Sequence, residues 1–288
     1  MKKFVSVLIP VYRDWDRLQL CLNALANQTH SMSEFEIIVI NNDPSNKVPS
    51  NVKFTRNSIL IDEKKPGSYA ARNKGVIHSK GNILAFTDSD CIPDKNWIKN
   101  IIKTMRHDID RVAGHVELTY QSKRLSLSEI YEKSFAFDQE HNSCKGASVT
   151  ANMITWKKSF EDVGYFNDDL LSGGDYEWSM RAKKKGLKII YSSEIIVFHP
   201  ARDNLRAILN KKKRVAGGIA MLEKKSINLI SMFRGYLPPL RVLIYLKSKK
   251  TLSLYEILVS FFLHWIFSIY VSNLKILYKI GYNKYERV

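Results

Sequence analysis

The stretch Pro66–Trp97, PGSYAARNKGVIHSKGNILAFTDSDCIPDKNW, decides how this chain folds. It opens on the turn signal Pro66-Gly67, carries a helical pattern from Tyr69 to His78, and breaks at Lys80-Gly81-Asn82. The run Ile83-Leu84-Ala85-Phe86 then lacks polar alternation, the pattern of a parallel strand covered on both faces. It ends in Thr87-Asp88-Ser89-Asp90. Ligands of open α/β sheets sit at the carboxyl ends of strands, so two carboxylates there are placed for chemistry. Residues i and i+2 of a strand project to one face, roughly 7 Å apart. A turn at that point lets both converge on one hard divalent cation, Mg²⁺ or Mn²⁺, which prefers oxygen ligands and often shares carboxylates with substrate phosphates. Asp-x-Asp alone is a weak signal, because most such pairs are solvated loop acids or turn formers. Its context here is what gives it weight.

Working outward, Phe4–Val11 reads as a strand that carries Pro10 near its end. Asp14 or Asp16 then caps a helix with Leu18, Cys21, Leu22, Leu25 and Ala26 at helical spacing. Phe35–Ile40 is a second buried strand that runs into the polar turn Asn41–Asn46, and Val52-Lys53-Phe54 is expected as a weaker third. Strands and helices alternating in this way predict a doubly wound α/β sheet with a nucleotide-sized crevice. No G-x-G-x-x-G follows the first strand, which argues against a dinucleotide. The opening MKKFVSVLIPVY has the basic-then-apolar look of a signal peptide, but Pro10 and Arg13-Asp14 interrupt it at once, so a first strand is the better reading.

With 288 residues, 45% of them hydrophobic and 25% charged, the chain has ample material for a core. Its three cysteines lack metal-ligand spacing and imply no disulfide framework, which fits a reducing cytoplasm. Cys91 reads as a small packing residue. Charge is uneven: Ala201–Val288 holds 17 Lys and Arg against 4 Asp and Glu, so +13 of the net +17 lies in the last third. A basic tail on a near-neutral body points to a polyanionic partner, either nucleic acid or an anionic membrane leaflet.

Several motifs in order carry a resemblance. They are Val7-Leu8-Ile9-Pro10-Val11-Tyr12, Glu36-Ile37-Ile38-Val39-Ile40-Asn41-Asn42, Ala71-Arg72-Asn73-Lys74-Gly75 and Ala85-Phe86-Thr87-Asp88-Ser89-Asp90. Phe160–Asn167 and Gly173–Arg181 continue the series. Together they resemble the family-2 inverting glycosyltransferases of GT-A fold, of the bacterial surface-polysaccharide type, over roughly the first 200 residues, a length usual for one domain. The resemblance implies a GT-A domain over 1–204 and hexosyl or related transfer from a nucleotide-diphosphate sugar.

It implies roles residue by residue. Asp90 would bind the metal, with His199 completing that site, and Asp88 would face ribose or a metal-bound water. Pro10, Tyr12, Asn42, Arg72 and Ser89 would line the nucleotide-sugar site. Asp175 would be the general base, with Glu177 and Trp178 on the acceptor side or supporting it. The family usually shows Glu-Asp where this chain has Gly174-Asp175, and Glu177 is a possible substitute for the absent acid. Each role has a plainer rival. Asp175 caps a helix well, Arg72 suits a helix salt bridge, Asn42 suits a turn, His199 could be structural, and Trp more often packs a core than stacks on a sugar. Gly146–Met153 is expected to floor the site, and Leu118–Glu140 reads as an insert shaping the acceptor side.

After Arg202 the composition shifts to a tail, 205–288, expected to be helical and to associate with membrane or with another subunit. Leu205–Leu222 is a basic helix candidate interrupted by Gly217-Gly218, and Pro238-Pro239 marks a break. Ile257–Leu274 runs 18 residues without Asp, Glu, Lys or Arg, at the lower edge of a membrane span. Flanking lysines and Phe261, Phe262, Trp265, Phe267 and Tyr270 suit a helix in the lipid interface; the alternative is a helical hairpin packed on protein, including a second copy.

The sum is a metal-dependent glycosyltransferase peripheral to the cytoplasmic face of the plasma membrane, acting on a glycan or lipid-linked acceptor. A sugar-nucleotide nucleotidyltransferase should instead show a Gly-rich, lysine-bearing loop after the first strand, where this chain has Val11-Tyr12-Arg13-Asp14. A non-catalytic scaffold or nucleic-acid binder would explain the charge but not both Asp88 and Asp90, and no nucleic-acid motif is present.

Overall fold

The computed structural model describes residues 2–222 and 233–279. Of the tail expected over 205–288, residues 223–232 and 280–288 therefore lie outside the described residues. The first half contains β1 (Val5–Val11), α1 (Trp15–Ala26), β2 (Phe35–Asn41), β3 (Ser58–Asp62), α2 (Ser68–His78), β4 (Ile83–Thr87), β5 (Ile92–Pro93), α3 (Trp97–Thr104) and β6 (Arg111–Thr119). There follow α4 (Leu127–Phe135), α5 (Gln139–Cys144), β7 (Asn152–Trp156), α6 (Lys158–Val163), α7 (Gly174–Lys184) and β8 (Ile189–Pro200). The last helices are α8 (Leu205–Leu222), α9 (Leu240–Ser248) and α10 (Leu254–Lys279).

The chain divides into two compact units, the first of residues 1–117, 137–170 and 174–200, the second of 118–136, 171–173 and 201 onward. The strands form one sheet in the order β3-β2-β1-β4-β7-β6-β8-β5. β3, β2, β1 and β4 run parallel, whereas β7 is antiparallel to both β4 and β6. Every residue of β2 and β4 is buried, as continuous apolar runs in a parallel sheet require. The core joins Val5, Val7 and Ile9 of β1 to Leu18, Leu22 and Leu25 of α1 and to Trp97, Ile98 and Ile101 of α3.

The third strand is not where the apolar pattern placed it. Val52-Lys53-Phe54 stays outside the sheet, because the Lys53 backbone is taken by the Gln19 side chain of α1, which accepts from Lys53 N at 2.6 Å. The strand forms at Ser58–Asp62 instead. There Asn57 ties the chain to β2, its Nδ2 donating to Phe35 O at 3.1 Å and its O accepting from Ile37 N at 2.9 Å.

α2 is buried almost all round, and each residue of its motif has a packing reason. Gly75 lets the helix lie close on the sheet: a Cβ there would sit 3.0 Å from Ile40 and 3.2 Å from Leu8. Asn73 exchanges two hydrogen bonds with the Phe166 backbone, at 2.9 and 3.0 Å, which fixes the loop that leads into α7. Gly164, at φ 89°, ends α6 in a conformation that side chains disfavour.

The second unit gathers Leu118–Ala136, the first part of the expected insert, with the tail helices. α4 starts on a capping box, Ser126 Oγ accepting from Glu129 N and Glu129 Oε2 accepting from Ser126 N. Tyr131, Ile208 and Phe267 form one apolar centre; Leu246, Ile257 and Phe261 form another. Gly217-Gly218 does not interrupt α8 as expected. Gly218 is small for contact, since a Cβ there would meet the Ser172 carbonyl oxygen at 2.3 Å. α10 is long and apolar enough to cross a membrane, an 18-residue window within Leu254–Tyr278 having mean hydropathy 1.7. One face packs through Ile257, Ser260, Phe261 and Phe267, while Leu254, Leu258, Phe262 and Ile266 form an exposed stripe.

Within this unit Glu132, 3% exposed, is held by Arg202 at 2.9 Å and Lys211 at 3.5 Å. Burial alone would push its carboxyl up, but Lys211 and Arg202 together hold it below the ordinary value of 4.5. Its contribution to stability is therefore complete above pH 4.5 and is lost as the pH falls toward the folded-state value. Glu132→Gln should destabilise the fold at pH 7 by about 3 kcal/mol, since it leaves two partly buried cations without their carboxylate. Thermal melts at pH 7 and pH 4 should show the gap to wild type narrowing in acid.

Candidate active site

In the order β3-β2-β1-β4 the chain leaves β1 in opposite directions, and the carboxyl ends of β1 and β4 flank the point where the order reverses, the place where open α/β sheets bind ligands. Asp88-Ser89-Asp90 lies there, turned by Cys91 N donating to Asp88 O at 3.1 Å. The Asp88 carboxylate accepts from Arg72 Nη2 of α2. The Asp90 carboxylate lies 3.4 Å from His199 Nε2, near the end of β8, and 4.0 Å from Arg17 Nη1 of α1. His199 Nδ1 is 2.8 Å from the Pro200 carbonyl, which can only accept, so Nδ1 carries a proton and donates there, and Nε2 is the nitrogen that faces Asp90.

Asp90, Cys91 and His199 place one ligand atom each within 4.8 Å of one another, a cluster able to hold a metal ion. Two ligands bound at about 2.1 Å to one small cation sit near 3 Å apart, so the spacing of Asp90 and His199 fits. Cys91 fits less well. It is fully buried, burial pushes its thiol up, and it points at the Ala151 carbonyl at 3.9 Å. A protonated thiol suits neither Mg²⁺ nor Mn²⁺.

Asp175 lies in the first turn of α7, and its Oδ1 accepts from Tyr69 Oη at 3.1 Å and from Tyr176 N at 2.9 Å. The Asp175 carboxylate is thus held on two sides within the first turn of the helix. The absence of the usual acid before it has a steric cause. A Cβ on Gly174 would meet the Tyr69 ring at 2.8 Å, so the phenol occupies the space a side chain would need. The same ring stands under Arg72, 5.6 Å from its guanidinium carbon. One aromatic ring therefore links Asp175 to Arg72 and, through it, to Asp88.

Other positions differ from expectation. Trp178 cannot stack on a sugar: it is fully buried, stacked on Phe160 at 4.7 Å, and its Nε1 donates to Gly164 O at 2.8 Å. Glu177 is not a substitute acid, because Arg181 takes both its oxygens at 2.6 and 3.0 Å and also grips the Val163 and Tyr165 carbonyls. Arg72 is 4% exposed and directs its Nη2 at Asp88, which leaves little of its side chain open to broad contact with a ligand. Asn42 is a clamp: it donates to Glu63 O and Lys65 O and accepts from Gly67 N, fixing the loop before α2. Pro10 is in register with Ile40 beside it, Ser89 sits in the acidic turn, and Tyr12 follows the last residue of β1 and is 44% exposed. Sequence patterns did not point to Tyr69 or Arg17 as site residues.

Residues 6–161 match the family described as Glycosyl transferase family 2. The chain belongs to that family. Among its curated relatives, glycosyltransferase AglE of Haloferax volcanii is 36% identical over 238 residues, covering 79% of this chain and 77% of AglE. A Methanococcus voltae dolichyl N-acetyl-alpha-D-glucosaminyl phosphate 3-beta-D-2,3-diacetamido-2,3-dideoxy-beta-D-glucuronosyltransferase is 21% identical over 253 residues, 80% of this chain and 77% of that protein. The mannosyltransferase PcManGT of Pyrobaculum calidifontis, solved with GDP-Man and Mn²⁺, shares the fold at TM-score 0.58 and 13% identity, covering 99% of this chain and 77% of that one. S. aureus TarS does so with UDP, at 0.53 and 17%, covering 98% and 93%. This family-2 chain is thus a glycosyltransferase with a GT-A-like sheet and flanking helices.

Proposed function

We propose that this glycosyltransferase moves a sugar from a nucleotide-diphosphate donor to a hydroxyl of a glycan or lipid-linked acceptor, inverting the anomeric centre. The observation that carries the proposal is the connection Asp175–Tyr69–Arg72–Asp88, which sets a candidate base and the acidic turn in one rigid frame. The acceptor hydroxyl attacks the anomeric carbon as the nucleoside diphosphate leaves. Asp175 takes the hydroxyl proton, and Tyr69 holds the carboxylate still for that transfer. Asp90 and His199 would hold a divalent cation, which when bound supplies Lewis-acid stabilisation of the leaving diphosphate. The GDP-Man, UDP and Mn²⁺ in the two structural relatives support a nucleotide donor and a cation of this kind.

The dolichyl phosphate in the name of the Methanococcus relative supports a lipid-linked acceptor, and with it a role in building surface glycans. The exposed stripe of α10 and the basic tail support attachment at the cytoplasmic face of a membrane. The deciding experiment is a panel of nucleotide sugars read by thermal shift and donor hydrolysis, with Mn²⁺ and with EDTA. Cation-dependent stabilisation by one donor, followed by turnover to a product of inverted anomeric configuration by NMR, is the expected result. No response to any donor would sink the proposal.

Tyr69→Phe tests the frame. It deletes one hydrogen bond to a charged group, worth about 1.5–3 kcal/mol, while keeping the ring under Arg72. kcat should fall about tenfold or more, with the KM for donor unchanged.

A further inference from the structure

The second unit carries a concentration of positive charge that the transfer chemistry does not use. Arg202 and Lys211 hold the buried Glu132 carboxylate, and Lys212, the next residue of α8, lies over the Tyr131 ring at 5.4 Å. Among the described residues no carboxylate is within ion-pair distance of Lys212. Among the described residues three cations thus face one anion in this cluster, a surplus of two positive charges, and Lys211 also senses the charge of Arg214. Tyr131 joins this cluster to α10, with its Oη 3.4 Å from His264 Nδ1 and its ring 4.9 Å from that of Phe267.

Burial lowers the affinity of Lys212 for its proton, Lys211 lowers it further, and Glu132 offsets part of this, leaving the ammonium at about 8. The groups that face it are Lys211 on its own helix, Glu132 and Tyr131 on α4, and His264 on α10. A half-buried cation without a counter-ion is unfavourable by itself, and a bound dianion reverses the sign of that contribution.

We propose that Lys212, with Arg202 and Lys211 beside it, is a binding site for the phosphate ester of a lipid, and that the occupant is the phosphate of the acceptor. A phosphate monoester carries about −1.5 to −2 charges at neutral pH, which matches the surplus of two. Charge-assisted hydrogen bonds from Lys and Arg are the strong way to hold such a group. The exposed Leu254, Leu258, Phe262 and Ile266 stripe of α10 supplies apolar surface in the same unit for the hydrocarbon. The assignment to the acceptor rests on the lipid-linked reading above; the phosphate site itself does not.

Calorimetry on the full chain would compare farnesyl monophosphate, farnesol, inorganic phosphate and phosphatidylglycerol vesicles, with nucleotide-sugar binding as the control. Wild type should bind farnesyl monophosphate and bind farnesol far more weakly. Lys212→Gln should weaken farnesyl monophosphate about tenfold, Lys212→Arg should restore it, and neither should change nucleotide-sugar affinity. Lys212 makes no ion pair among the described residues, so both variants should fold, which circular-dichroism melts would check. As an independent readout, farnesyl monophosphate should slow acylation of the Lys212 amine at pH 8, because a nearby anion raises its proton affinity. Equal binding by wild type and a folded Lys212→Gln would overturn the site while leaving glycosyl transfer intact. Lys212-dependent binding of phosphatidylglycerol vesicles without farnesyl monophosphate binding would overturn the acceptor assignment in favour of a membrane headgroup. A failure of nucleotide-sugar binding in wild type would instead strike the transfer reading.

Discussion

Asp175→Asn should lower the transfer rate by about three orders of magnitude and leave donor affinity within a factor of two or so, because general-base catalysis contributes roughly 10²–10⁴. The amide has nearly the shape of the carboxylate. Its oxygen can still accept from Tyr69 Oη and Tyr176 N, the two bonds that now hold Asp175 Oδ1. What it cannot do is take a proton from the acceptor hydroxyl. The only other acid in this turn of α7, Glu177, is bound through both oxygens to Arg181 and so is not free to substitute. The measurement is turnover under saturating donor and acceptor, beside donor binding by calorimetry. Retention of more than a tenth of wild-type rate would move the base elsewhere.

That prediction depends on a contact no pattern in the chain announces. Tyr69 and Asp175 are 106 residues apart, and the Gly174 that makes room for the phenol reads, in sequence, only as a missing acid. The acidic turn was legible because its signal is local: a short apolar run set between the break at Lys80-Gly81-Asn82 and two acids reads as a buried strand with the acids at its carboxyl end. The same locality explains the errors. Val52-Lys53-Phe54 and Ser58–Asp62 are both plausible strands by composition, and the choice between them is made by Gln19 and Asn57. Trp178 was ambiguous for a similar reason, since a Trp beside a functional acid can face a ligand or the core, and three turns of chain must be placed before Phe160 is seen beneath it. Leu118–Glu140 reads as an insert in sequence, and its first part, Leu118–Ala136, belongs in space with helices almost 70 residues further on, through Glu132 and Arg202.

Asp90→Ala should abolish cation-dependent donor binding and lower kcat/KM by about a thousandfold, the equivalent of the several kcal/mol that Lewis-acid stabilisation supplies. The side chain contributes little to packing at the edge of the crevice, being 23% exposed and paired only loosely with His199 and Arg17, so the fold should survive. Removing the cation from wild type with EDTA should reproduce the variant, and adding EDTA to the variant should change nothing further. His199→Ala should act in the same direction but less strongly, because Asp90 still offers a charged ligand. The informative comparison is Cys91→Ser. If the thiol were a ligand, the change would cost affinity for any thiophilic ion; if the cation is held by Asp90 and His199 with the donor diphosphate, affinity for Mn²⁺ should stay within a factor of two or so. The second outcome is expected, since the thiol is fully buried, protonated and directed at Ala151 O. Titration of Mn²⁺ against the four proteins with donor present then separates a carboxylate–imidazole site from one that includes sulfur, and a Cys91→Ser variant as impaired as Asp90→Ala would reject the two-residue site.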